Sequence, residues 1–200
     1  MSGAYNGEKT NIMVLRTRLR VIFMKRTIWL WQFFGFAITV LGGTFLHFLY
    51  DLTGGNIWTA PFSGVNESTW EHMKLLFWPI FIYAVLESFF FKENKCFWRI
   101  KLRGILLGLA CIPVLFYLYS GVIGKSPDFV NIAIFFISAM VSYVYEARAL
   151  YKEDTTCKSG WRAFFMLGII AFTFILFTFI TPRLNIFKDP VTGIYGITAV

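Results

Sequence analysis

Five stretches of this 200-residue chain are apolar over a length near the roughly 20 residues that a helix needs to cross a bilayer. They lie at 28–50, 74–91, 104–123, 129–150 and 163–181. The chain is 57% hydrophobic and only 15% charged, so a water-soluble domain of this size would lack the polar surface to cover itself. The predicted fold class is an all-α, polytopic membrane protein with five transmembrane helices.

The lysines and arginines are unevenly distributed among the connections. Fifteen of the 19 lie before the first stretch, between the second and third, or between the fourth and fifth. Since cytoplasmic loops retain positive charge, the N-terminus is predicted to be cytoplasmic and the C-terminus extracytoplasmic. Basic loops at the inner leaflet also account for the net charge of +8, so no nucleic-acid partner is expected.

Three regions follow from this topology. Residues 1–27 include LRTRLRVIFMKR, whose apolar face and arginines predict an interfacial helix on anionic inner-leaflet lipids. Residues 28–181 form the five-helix transmembrane domain, and no cleavable signal is expected, because a long charged lead precedes a full-length apolar run. Residues 182–200 contain the turn DPVTGIYG and several apolar side chains, which predict a tail folded over the outer face.

Polar side chains are concentrated where the first two spans face the outer side. His47 and Asp51 are four residues apart in the first span, and so share one helix face. Glu67, Glu71 and His72 open the second span after a loop longer than the usual few residues. Because polar groups at membrane depth are costly and tend to be functional, these five residues are the candidate site.

Two interpretations of SGVNESTWEHMK stay open. In the structural one, Ser68 caps the second helix and Glu71 completes a capping box, with an ion-pair network around it. In the functional one, Glu67, Glu71 and His72 are catalytic groups, or His47, Asp51, Glu71 and His72 are ligands of a divalent metal. Mixed imidazole and carboxylate ligation suits Zn, Mn or Fe. Supporting or lid positions are Asn66, Ser68, Trp70, Lys74, Asp189 and Tyr195.

The remaining polar features have simpler expected roles. Glu87 is expected near Lys92 and Lys95 at the inner boundary, and Glu146 near Arg148 or Lys152. Cys96 and Cys157 fall in predicted cytoplasmic loops, where thiols stay reduced, and Cys111 falls within a span. Gly104 and Gly108 are spaced for close helix approach.

NESTWEHMKLLFWP and DPVTGIYG together resemble an uncharacterised family of small multi-pass membrane proteins from Firmicutes and related bacteria. The resemblance implies a bacterial cytoplasmic (inner) membrane location and supplies no substrate. The family-like positions that it marks are Asn66, Glu67, Ser68, Trp70, Glu71, His72 and Lys74, and in the tail Asp189, Pro190, Gly193, Tyr195 and Gly196.

The leading functional hypothesis is a membrane-embedded enzyme, metal-assisted or acid/base, acting on a lipid-like substrate from the outer leaflet. Asp51 would then orient His47. The alternatives are a small-solute or ion transporter, with Glu87 as a coupling site, and an accessory membrane subunit. A homo-oligomer is left open as well.

Overall fold

The computed structural model describes residues 2–124, 127–152, 157 and 160–197, without the side chains of 2–24 and 128. Five α-helices and a short 3-10 helix, η1, make up this part of the chain, and none of it forms a multi-residue strand. The helices are α1 Ser2–Leu52, α2 Thr69–Phe90, α3 Phe97–Ile123, α4 Asp128–Tyr151 and α5 Trp161–Phe179, with η1 at Asn185–Phe187.

All five helices are long and apolar enough to span a membrane, which confirms the predicted all-helical, multi-pass membrane class. The candidate span of α1 begins at Lys25, close to the predicted residue 28. The helix itself begins much earlier, at Ser2, and continues through the segment predicted to be interfacial. LRTRLRVIFMKR contains neither Pro nor Gly, so nothing in that segment ends the helix.

The second and third helices begin earlier than predicted. α2 begins at Thr69 instead of residue 74, because Ser68 supplies the N-cap. α3 begins at Phe97 instead of residue 104, so the basic stretch 99–103 is helical. Both starts were predicted too late because the predicted bounds follow the apolar runs. The first turns of α2 and α3 contain charged residues, which such a run leaves out.

α2 is the most buried of the five spans. It packs on α1, α3 and α5, and α1 and α3 in turn pack on α4. Leu76, Phe77, Ile80 and Ile105 are fully buried in the core between these helices. Large apolar side chains such as Phe33, Leu118 and Phe165 point outward, as expected for a surface that faces lipid.

The close approach predicted for Gly104 and Gly108 is present between α3 and α4. A Cβ atom on Gly108 would lie 2.1 Å from Ser142 Oγ, and one on Gly104 would lie 2.5 Å from the Glu146 side chain. Since any larger residue would displace these groups, the glycine spacing allows the two helix backbones to come together.

The two ends of the bundle are named here by their connections. The first-loop end is where residues 53–68 join α1 to α2, and the second-loop end is where residues 91–96 join α2 to α3. Cys96 and Cys157 form a disulfide at the second-loop end, with a Cα–Cα distance of 5.3 Å. The prediction of two reduced thiols is therefore wrong. A separation of 61 residues gave no sign of pairing, but both cysteines are buried beside Ile28 and Phe97.

Glu87 and Glu146 were predicted to pair with bases at the helix ends, and this prediction is wrong. Both are fully buried, and both form ion pairs with Lys101 of α3. The sequence assigned Lys101 to a basic loop, whereas the early start of α3 brings it inside the bundle. These three residues, with Gln32 of α1, are called the charge cluster below.

Candidate functional site

The loop at the first-loop end is ordered by side chains of α2. Lys74 Nζ donates a hydrogen bond to the Ala60 carbonyl at 2.8 Å, and Trp78 Nε1 donates one to the Pro61 carbonyl at 3.0 Å. Lys74 is fully buried and also donates to Thr178 Oγ1 of α5 at 3.1 Å. Lys74 therefore fixes the loop to two helices and is a supporting residue of the site.

The start of α2 forms only half of the expected capping box. Ser68 Oγ accepts a hydrogen bond from the Glu71 N–H at 3.4 Å, but the Glu71 carboxylate does not return to Ser68. The carboxylate instead accepts from the Val65 N–H at 3.1 Å and lies 2.6 Å from Lys74 Nζ. The Ser68 N–H donates to Asn66 Oδ1 at 2.9 Å. The Glu71 carboxylate pairs with Lys74 and not with the Ser68 N–H, because the buried Lys74 ammonium needs a counter-charge.

His47, Glu67 and His72 converge at the first-loop end, one from α1, one from the loop and one from α2. His47 Nε2 lies 3.6 Å from Glu67 Oε1, and His72 Nε2 lies 3.8 Å from Glu67 Oε2. One ligand atom from each residue falls within 4.8 Å of the other two. The group is called the His-Glu-His site below. Its side chains are partly open, with Glu67 46% exposed and His72 19% exposed.

A backbone contact fixes the orientation of one imidazole. His72 Nδ1 lies 3.0 Å from the Ser68 carbonyl, so Nδ1 is assigned the proton, and it donates to that oxygen. His72 Nε2 is the ring nitrogen that faces Glu67, 3.8 Å from Oε2. This is how proteins commonly orient a metal-binding histidine.

Two of the four expected metal ligands lie outside this site. Asp51 is exposed and does not join the His-Glu-His site. Asp51 is the penultimate residue of α1, which ends at Leu52, and His47, one turn earlier, is the α1 residue that reaches the site. Glu71 is turned into the bundle by Lys74. The structure thus brings together His47, His72 and Glu67, the last of which was expected as a catalytic group.

The tail reaches the same segment of chain. Asn66 Nδ2 donates to the Gly196 carbonyl at 3.0 Å, and the Asp189 carboxylate accepts from the Glu67 backbone N–H. The predicted turn at DPVTGIYG is confirmed by bonds from the Val191 and Thr192 N–H groups to Asp189 Oδ1, at 2.7 Å and 3.2 Å. Lys188 and Tyr195 pair across this turn.

The same tail packs on Trp70 through η1. The Trp70 ring lies 4.6 Å from the ring centroid of Phe187 and 4.7 Å from that of Phe174 in α5. Trp70 therefore joins the tail to the bundle, and Asp189 joins the tail to Glu67 of the His-Glu-His site.

Asp189 is held as a carboxylate by these contacts. Its burial would raise the pKa, but the hydrogen bonds from Val191, Thr192 and the Glu67 backbone outweigh that effect, and the pKa of Asp189 is lowered below its ordinary value. The negative charge of Asp189 is thus stabilised in part by the backbone N–H of Glu67, the residue whose side chain belongs to the site.

A narrow cleft between α2, α3 and α4 opens beside the site. It encloses about 10 Å³, room for about one water molecule. Its wall is apolar apart from the site residues themselves and two neutral polar side chains, and includes Glu67, His72, Ile112, Phe116, Ile134 and Phe135.

The sequence interpretation missed Lys101 and its pairing with two acids across three helices. The available signal was Lys101 itself, four residues into α3, with Glu87 and Glu146 each inside an apolar span. Three charges at similar depth in a bundle are better explained by mutual pairing than by separate contacts with interfacial bases.

The comparisons with known proteins give a family without an assigned role. No curated protein and no solved structure is significantly similar to the chain. One family model matches residues 21–197, which include the five spans, the site and the described tail. The chain therefore belongs to the family of unknown function DUF6512.

Proposed function

We propose that His47, Glu67 and His72 bind a divalent transition metal, and that the protein is a membrane-embedded, metal-dependent hydrolase of an amphiphilic substrate. The spacing of the site carries this proposal. At 3.6 Å and 3.8 Å, the two imidazole–carboxylate separations are too long for hydrogen bonds. Ligand atoms arranged tetrahedrally about 2.0–2.1 Å from zinc are separated by about 3.3 Å. The three ligand atoms lie within 4.8 Å of one another, so a metal would be bound after all three side chains move inward toward it.

The donor set favours catalysis over a purely structural role. Two imidazoles and one carboxylate leave one coordination position for water, whereas structural zinc sites use four protein ligands. A metal held in this way supplies a water nucleophile near neutral pH and polarises a carbonyl or phosphoryl oxygen. Manganese and iron accept the same donors, so the class of metal is Zn, Mn or Fe.

Glu67 is the carboxylate best placed to accept a proton. Glu71 is engaged by Lys74 and Val65, whereas Glu67 is half exposed and lies between both imidazoles. If one Glu67 oxygen held the metal, the other could accept a proton from the attacking water. Glu67 would then serve as both ligand and general base.

The apolar cleft favours an amphiphilic substrate. Ile112, Phe116 and Phe135 line the cleft beside the site, and an acyl chain would lie against them. A cleft of about 10 Å³ is too small for that chain, so α3 and α4 have to separate from α2 during substrate entry.

We infer that the site faces the extracytoplasmic side of a bacterial cytoplasmic membrane. Apart from the buried Lys101, fourteen of the 19 basic residues belong to connections or helix ends away from the first-loop end, which supports a cytoplasmic N-terminus and contact of residues 1–27 with anionic inner-leaflet lipids. The tail would then cover the site from the outer side, held by Asn66 and Asp189. The Cys96–Cys157 disulfide would lie at the cytoplasmic end and would form only under oxidising conditions.

Metal analysis of the purified protein tests the ligand set. We expect about one transition-metal ion per chain, with affinity reduced at least about 10-fold in His47→Ala, Glu67→Ala and His72→Ala. Asp51→Asn is the matched control, because it removes a nearby exposed carboxylate and should keep the metal. Folded wild-type protein that binds no Zn, Mn or Fe, or unchanged affinity in the three variants, would exclude these ligands.

Hydrolysis of a long-chain nitrophenyl ester in detergent tests the reaction class. The expected activity disappears on chelation, returns with the metal and is retained by Asp51→Asn. Metal-loaded protein that hydrolyses neither this ester nor phospholipid in vesicles would refute the hydrolase while leaving the metal site intact.

A further inference from the structure

The charge cluster is buried at the opposite end of the bundle from the His-Glu-His site. Glu87 of α2, Lys101 of α3 and Glu146 of α4 are all fully buried, and Gln32 of α1 lies beside them. Four helices therefore contribute one polar side chain each. Polar clusters of this kind are rare within membranes and are mostly functional.

The cluster has one more acid than base. Lys101 contacts Glu87 Oε2 and lies 2.6 Å from Glu146 Oε2, so one ammonium serves two carboxylates. With both acids ionised, the cluster would carry a net charge of −1 without water contact. An uncompensated buried charge costs several kcal/mol or more, so a positively charged species is required.

The oxygen atoms that are left to bind a cation favour a proton over a metal ion. Among the cluster atoms, Glu87 Oε2, Glu146 Oε1 and Gln32 Oε1 are buried without a hydrogen-bond partner, and of these only Glu87 Oε2 is in ionic contact with Lys101. Hard metal ions such as calcium take about six to eight oxygen ligands, and the Lys101 ammonium already occupies the centre of the cluster. Two free oxygens beside a fixed cation make a poor metal site, whereas a proton needs only one of them.

The hydrogen bonds distinguish the two acids. Glu87 uses both oxygens, since Oε1 accepts from Gln32 Nε2 at 2.6 Å and Oε2 contacts Lys101. Glu146 uses Oε2 alone, and its free Oε1 lies against Gly104, where a Cβ would be 2.5 Å away. A proton on Glu146 Oε1 breaks no existing bond, whereas a proton on Glu87 would weaken one.

We propose that Glu146 is a proton-binding site that holds one proton at neutral pH while Glu87 remains ionised and paired with Lys101. Glu146 lies five residues before the end of α4 at Tyr151, about 7.5 Å along the helix. Proton exchange therefore occurs with the aqueous phase at the second-loop end. This site is separate from the proposed metal centre and does not depend on it.

Among the described residues, the groups that face Glu146 from the neighbouring helices carry no positive charge apart from that of Lys101. α1 contributes the uncharged Gln32 and Thr39, and no ion pair or hydrogen bond joins the described residues of α5 to the cluster. The titratable groups around Glu146 are Lys101 of α3, Glu87 and Tyr83 of α2, and Tyr143 of its own helix. Tyr143 shares a hydrogen bond of 2.7 Å with Thr39, and Tyr83 donates to the Trp31 carbonyl, so neither carries compensating charge.

Infrared spectroscopy of the purified wild-type protein tests the proposal through the C=O stretch of a protonated carboxyl group. At pH 7 we expect one such band, absent in Glu146→Gln. It should also be absent in Glu87→Gln, because the remaining acid and Lys101 balance each other. Lys101→Met should double the band, and Glu93→Gln, which removes an exposed acid, should leave it unchanged.

Conservative variants identify the protonated residue even where the neutral variants do not fold. Glu146→Asp should shift the frequency of the band, whereas Glu87→Asp should leave it in place. A wild-type protein without the band at pH 7, a band that survives Glu146→Gln or one that moves only in Glu87→Asp would overturn the proposal. A band that appears only when sodium is removed would show a metal cation at this position and would overturn it as well.

Discussion

Replacing Asp189 with Asn should loosen the His-Glu-His site without touching any of its three side chains. The Asp189 carboxylate accepts backbone N–H bonds from Glu67, Val191 and Thr192. Asn has nearly the same shape, so the change removes the charge and one acceptor oxygen. The contact between the tail and Glu67 should weaken, and Glu67 should lose its fixed position.

The size of the effect follows from the number of hydrogen bonds. A hydrogen bond to a charged group contributes about 1.5–3 kcal/mol and a neutral one about 0.5–1.5 kcal/mol, so each bond loses about 1 kcal/mol. Val191 and Thr192 lie in the same turn as Asp189, so only the Glu67 contact joins the tail to the bundle. Docking of the tail should therefore weaken by about 1 kcal/mol, about 5-fold, and metal affinity should fall by up to about the same factor.

Hydrogen exchange measures this change directly. The backbone N–H groups of Glu67, Val191 and Thr192 should each exchange about 5-fold faster in Asp189→Asn. The N–H groups in the middle of α2 should keep their wild-type rates, and Asp51→Asn should alter none of them. Unchanged exchange at Glu67, together with unchanged metal affinity, would refute the link between the tail and the site.

The same contact predicts a pH dependence. The pKa of Asp189 in the folded protein is lower than its ordinary value of 3.8, because hydrogen bonds to the carboxylate outweigh the effect of burial. The stabilisation is therefore complete above the ordinary value and is lost as the pH falls through the lower folded-state value. Docking of the tail should be insensitive to pH between about 8 and 5 and should weaken below about pH 4.

Two further predictions concern the packing and the covalent structure of the bundle. Gly108→Ala should lower the free energy of unfolding by about 1–3 kcal/mol through overpacking, because the new Cβ would lie 2.1 Å from Ser142 Oγ. Gly168→Ala, at an open position in α5, should have little effect in the same SDS-unfolding titration, and equal midpoints would contradict the contact. Thiol titration of unfolded protein prepared without reductant should find one free cysteine, Cys111, and three after reduction. Three free thiols before reduction would mean that the disulfide is not formed.

The five helices were predictable because their signal is local. An apolar run of about 20 residues identifies a span without knowledge of its neighbours. The starts of α2 and α3 were less predictable, since Thr69 depends on a cap at Ser68, and the charges before residue 104 lie within α3. The capping residue was nevertheless recognised from STWE, because the pattern involves only adjacent residues.

The site was only partly predictable, because its geometry depends on competition between partners. The spacing of His47 and Asp51 on one helix face placed both near the site, but the end of α1 at Leu52 leaves Asp51 in solvent. The sequence interpretation gave Glu71 a role in the capping box, as a metal ligand or as a catalytic group, and Glu67 only a catalytic role. The fold separates them by placing Lys74 beside Glu71 and both imidazoles beside Glu67. The Cys96–Cys157 pair and the Lys101 ion pairs are long-range contacts that no spacing rule predicts.

The Cys96–Cys157 disulfide also has a mechanical consequence. Once formed, it links the start of α3 to the connection after α4. The Lys101 ion pairs join α3 to α2 and α4 at the same second-loop end, so that end can act as a pivot. α3 has 27 residues and is therefore about 40 Å long, so a tilt of only about 5° at the pivot moves its far end by about 3.5 Å. The bundle could thus open at the first-loop end while the second-loop end stays closed. The opening would be widest beside His72 and Phe116, where an acyl chain would have to enter under the proposed function.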